Sequence, residues 1–151
     1  MTRRMAVVLV VPVLVVLVLG VYAAPGTTSA GLVGRLNSEV MLPGDQALRL
    51  VLSDIKAGRL DETRYQHLAT IGEVDAAAWA LLPEARAAWF QTERRSDFAV
   101  YRGTCHVVEG TGCIWMFLKT GENAYLSQAT AYIQAATLAV AAANLYRTEG
   151  K

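Results

Sequence analysis

The chain has 151 residues, 14 basic and 13 acidic, and a hydrophobic fraction of 54%. Near neutrality argues against a nucleic-acid binder, which needs a basic face, and the length beyond the first two dozen residues suffices for one small domain with a single core. The high hydrophobic fraction is concentrated in the N-terminal run and the alanine-rich C-terminal quarter rather than spread along the chain.

Residues 5–24 read MAVVLVVPVLVVLVLGVYAA without a charge. At the helical rise such a run spans about 30 Å, the thickness of a bilayer's hydrocarbon core. Met5, Val8, Val11, Val15 and Leu19 typify this expected membrane anchor, and Arg3 and Arg4 hold the preceding end in the cytoplasm under the positive-inside rule. The expected placement is membrane-anchored with the following domain outside the cytoplasm, periplasmic or extracellular. Small residues near Ala23 and Ala30 also fit signal-peptide cleavage, in which case the protein is secreted. Residues 25–44, rich in Gly, Pro, Ser and Thr, read as a linker, and residues 45–151 as an extracytoplasmic, mainly helical domain.

Asp45 is placed to cap a helix to about Ala57, with Leu48, Val51, Leu52 and Ile55 on one side. Three short helices are predicted next: one after Asp61 carrying His67 and ending near Gly72, one from Asp75 through Leu82, and one opening at Pro83 with Glu84 in its first turn. Residues 98–121 then combine β-branched and aromatic residues with Gly103, Gly110, Gly112 and Gly121, which predicts a β-hairpin turning near Glu109. The fold class is therefore mainly α, an α+β arrangement. Cys105 and Cys113 would oppose each other across that hairpin and form a disulfide in an exported protein.

The last segment, 123–146, is a helix of 24 residues without a charge. Tyr125, Tyr132 and Tyr146 share a heptad position with Ala139, and Ala135, Ala139 and Ala143 follow a four-residue spacing that admits a closely packed helix. These six residues form a candidate helix interface. The helix is either the central core element or a surface for another subunit or an intramembrane assembly.

No dinucleotide, phosphate-loop, hydrolase or zinc-ligand motif is present. Neither a catalytic nor a metal site is assigned, and no cofactor is expected. The function expected from these features is a non-catalytic, membrane-anchored accessory or structural subunit of a cell-envelope or membrane complex, with the membrane and protein subunits as partners and no nucleic acid. The alternative is a secreted or anchored binding module, an inhibitor or ligand carrier, that uses the 105–113 loop. A small hydrolase centred on His67 or His106 is the weaker alternative. The three tryptophans and six tyrosines are expected mostly in the core.

Overall fold

The computed structural model describes residues 29–151. The anchor residues Met5, Val8, Val11, Val15 and Leu19, together with Arg3 and Arg4, lie outside the described residues. Helix begins at once with α1 (Ser29–Arg35), passes through a π-helical turn (Leu36–Met41) and continues as α2 (Leu42–Lys56). The widened turn lies directly before Pro43, where proline removes one i→i−4 bond from the ladder. From Ser29 onward the stretch read as a linker is therefore already part of the first rod, with Leu32, Leu36 and Val40 almost wholly buried.

A short connection leads to α3 (Leu60–Thr92), then α4 (Arg95–Thr120) and α5 (Asn123–Thr148). Such short links leave successive helices antiparallel, so the first rod, α3, α4 and α5 form an up-down-up-down four-helix bundle. Gly58 and Gly121 adopt positive φ at two of the corners, and Glu93 does so at the third, donating its N–H to the Trp89 carbonyl at 2.8 Å.

Three sequence expectations are corrected here. The three short helices predicted between Asp61 and Arg95 are one 33-residue helix, α3, whose inward positions His67, Ile71, Val74, Ala78, Leu81 and Ala85 alternate spacings of four and three. Gly72 and Pro83 do not interrupt that seam because both lie off it. Second, the α+β class is overturned: among the described residues there is no strand, and residues 98–120 belong to the helix α4, with Gly121 as its left-handed cap. Its buried positions repeat every seven residues as Ser96, Gly103, Gly110 and Phe117, as Asp97, Thr104, Thr111 and Leu118, and as Val100, Val107 and Ile114.

The third correction concerns the cysteines. Cys105 and Cys113 are free thiols. Eight residues along one helix separate their Cα atoms by about 12 Å, far beyond the roughly 7 Å that a disulfide bridges. Burial holds the Cys113 thiol above its ordinary pKa, which favours the protonated form.

A membrane-anchored, extracytoplasmic placement is corrected as well. Among the described residues no helix is long and apolar enough to cross a membrane. This includes α5: its polar positions Gln128, Gln134 and Asn144 interrupt the apolar character.

The bundle core divides into two clusters along its axis. Leu36, Val40, Leu81, Val100, Val107 and Ala136 fill one part. Val51, Ile71, Ile114, Leu118, Ala129 and Ile133 fill the other. The tightest pairing is α4 with α5, where glycines on one helix meet alanine and isoleucine on the other.

Candidate functional site

The histidines are the first place to look for chemistry, and each has a structural partner. His67, 7% exposed, stands on α3 with Nε2 2.9 Å from Asp54 Oδ2 near the end of α2. Arg59, in the corner between the helices, donates to Asp54 Oδ1 at 2.8 Å. The hydrogen bond from Arg59, followed by those from Thr63 and His67, lowers the Asp54 pKa to about 2. Asp54 is therefore an acceptor at neutral pH, and the imidazole Nε2 must carry a proton to donate to it. The cluster ties the first rod to α3 across the Ala57–Arg59 corner, and its closed-in imidazole has no approach for a substrate.

This staple carries a pH signature. The folded-state pKa lies below the ordinary carboxylate value of 3.8, so its stabilisation is complete above that value and is lost as pH falls from about 4 toward about 2. Asp54→Asn is expected to remove that part of the acid dependence, leaving a shallower fall of the urea midpoint between pH 4 and pH 2 than in the wild type. Identical slopes in the two proteins would refute the assignment.

His106 lies on α4 with Nδ1 3.2 Å from Glu109 Oε2, one turn away, and its ring stacks near Tyr132. This pair straps the α4–α5 seam. Cys105 and His106 are neighbours on a helix, so they project in different directions. Among the described residues no group of three or more His, Cys, Asp or Glu is arranged to hold a metal ion.

The acidic residues expected at helix starts have other partners. Asp45 accepts from Arg49 at 2.7 Å, Asp75 accepts from the buried Thr111 hydroxyl at 2.7 Å, and Glu84 accepts from Arg35 at 2.6 Å between α3 and α1. The aromatic residues depart further from expectation: Tyr65, Trp79 and Phe90 are 83%, 56% and 60% exposed. Trp89 instead anchors a ring cluster with Phe90, Phe98 and Tyr101 at the α3–α4 corner.

A groove of about 560 Å³ lies between α2 and α5. Asp45, Leu48, Arg49 and Leu52 form one wall, and Thr130, Ile133, Gln134, Thr137 and Leu138 form the floor and the other wall. Ile133 is 2% exposed and makes the floor; Leu138, one turn further on, is 71% exposed on the rim. The groove opens because α5 packs closely on α4 but only lightly on the first rod.

No family model matches the chain, and no similar curated protein or solved structure is found.

The structure distributes the six candidate interface residues of α5 along the bundle side of the helix. Ala143 is fully buried, and Tyr146 packs on the same core cluster. Tyr125 packs on the second cluster, Ala139 and Tyr132 abut Gly103 and Gly110 of α4, and Ala135 is half-buried. The outward side is a different set: Ser127, Ala131, Gln134, Leu138, Ala141 and Leu145 are all exposed. Their spacing alternates four and three, so they form a second heptad stripe opposite the buried one at Ala129, Ile133, Ala136, Val140 and Ala143. The expected interface positions and this exposed stripe therefore occupy different sides of the helix.

Proposed function

We propose that the protein is a non-catalytic accessory or structural subunit, which joins a larger protein assembly through the exposed side of α5 and the groove beside it. The observation that carries this reading is the absence of charge from residues 123–146 although one side of that helix faces solvent. A solvated helix face ordinarily carries charges, as α3 does at Asp61, Glu62, Glu73 and Arg86. Depletion of charge marks the centre of a protein interface rather than a water-facing surface.

The groove supports the same reading. An apolar floor at Ile133 between walls supplied by Leu48, Leu52 and Leu138 suits the apolar face of an incoming helix. A binding module built on the 105–113 loop has lost its surface, because that stretch is the middle of α4.

The test is the native size of the full chain in extract of the cells that make it, with and without Leu138→Glu. The wild type is expected to elute in an assembly larger than its own 16.3 kDa and the variant to leave it. Elution of both proteins as free monomer overturns the proposal.

A further inference from the structure

We infer that the partner at this surface is a second copy of the chain, the two copies pairing their α5 helices antiparallel along the exposed heptad stripe. The inference rests on the docking reading above and names its occupant.

The order of residues on the stripe supports self-pairing. When two copies are laid antiparallel about the point midway between Gln134 and Leu138, Ala131 falls opposite Ala141 of the second copy, Gln134 opposite Leu138, and Ser127 opposite Leu145. Each protruding leucine thus meets a smaller or flexible uncharged side chain, and the alanines meet each other where the backbones can approach closely. A parallel alignment stacks Leu138 on Leu138 and Leu145 on Leu145 at one end while facing Ser127 with Ser127 at the other, which splays the helices. It also aligns the two helix dipoles unfavourably, whereas the antiparallel arrangement opposes them.

Charge and size agree with this arrangement. With 18% of the chain charged, a stretch of 24 residues would ordinarily carry about four charges, and here it carries none that would repel an identical copy. The strip formed by α5, about 36 Å long, and the adjoining α2, about 22 Å long, each about 10 Å wide, presents on the order of 600 Å² per copy. That approaches the roughly 800 Å² per partner of a standard stable interface. The groove lies beside the centre of the strip, where Leu138 of the second copy can reach the apolar floor at Ile133.

The experiment uses the full chain in mild detergent with Cys105→Ser and Cys113→Ser as background. Sedimentation is expected to give a dimer, and Leu138→Glu with Leu145→Glu is expected to raise its dissociation constant about tenfold or more with an unchanged helical circular dichroism spectrum. Under oxidation, a mixture of Ala131→Cys chain and Ala141→Cys chain is expected to form a cross-linked dimer that neither forms alone. Cross-linking of each single variant with itself overturns the antiparallel register. A monomer, or a dimer indifferent to the two glutamates, overturns self-pairing. If the purified chain is monomeric while Leu138→Glu still releases it from a larger assembly in extract, self-pairing alone fails; if neither measurement responds, the docking reading fails with it.

Discussion

Gly103→Val and Gly110→Val are each expected to destabilise the bundle by about 1–3 kcal/mol, whereas Gly112→Ala on the same helix is expected to stabilise it by about 0.5–1 kcal/mol. All three glycines lie inside α4, so a propensity argument alone predicts a gain at each. The surroundings separate them. A Cβ at Gly103 falls 2.8 Å from Leu36 Cδ2 and 3.1 Å from Ala139 Cβ, and one at Gly110 falls 2.9 Å from Ile133 Cδ1. A Cβ at Gly112 has nothing within 4 Å. The isoleucine tip beside Gly110 can shift to admit a single methyl, so alanine at position 110 is expected to be near neutral, whereas at position 103 the Ala139 Cβ is fixed to its backbone and alanine is expected to be mildly destabilising. The branched valine side chain has no such room. Urea midpoints at constant slope report all of these changes, and a stabilised Gly110→Val protein would mean that α4 and α5 are further apart than the structure places them.

The same glycines explain why residues 98–121 misled the reading of the sequence. Gly, Thr, Val and Ile are the residues of turns and strands when counted by composition, and Gly103, Gly110, Gly112 and Gly121 punctuate the segment as hairpin turns do. Their positions carry the opposite message. Gly103 and Gly110 stand seven apart, as do Thr104 and Thr111, and Val100, Val107 and Ile114, a period no strand possesses. Small residues fit there because α5 approaches closely, and the buried hydroxyl of Thr104 is satisfied within the helix by the carbonyl of Val100 at 2.9 Å, that of Thr111 by Asp75 at 2.7 Å. The heptad was legible; the reason for its unusual composition was not, because it resides in the neighbouring helix. The cysteine pairing inherited the error, since it depended on the hairpin.

Other parts were legible for plain reasons. The α2 pattern at Leu48, Val51 and Leu52 and the helical character of 123–146 follow from periodicity alone, and both helices are present near the expected bounds. The joining of α3 into one helix was hidden because Gly72 and Pro83 are stop signals locally. In the bundle, burial of the continuous seam from His67 to Ala85 outweighs the cost of two poor helix formers off that seam. The groove had no signature in the sequence at all, since it is created by how unequally α5 packs on its two neighbours.

Ile133 and Leu138 separate what that groove contributes to folding from what it offers a partner. Ile133→Ala is expected to cost about 2–5 kcal/mol, the range for truncating a buried aliphatic side chain whose neighbours cannot close the gap. Those neighbours come from several helices: Ile133 Cδ1 lies 3.4 Å from the Cβ position of Gly44 on α2 and 2.9 Å from that of Gly110 on α4, and the side chain belongs to a cluster with Ile71 of α3. Glycine at both contact points means that these two positions supply no side chain to swing into the vacated space. Leu138→Ala removes as many carbons from the same helix, yet at 71% exposure it is expected to change the stability of the isolated chain by no more than about 0.5 kcal/mol. Guanidinium melts at low protein concentration, where self-association makes no contribution, measure both. A large loss of stability in Leu138→Ala under those conditions would make the residue part of the fold and leave the exposed stripe without its central docking side chain.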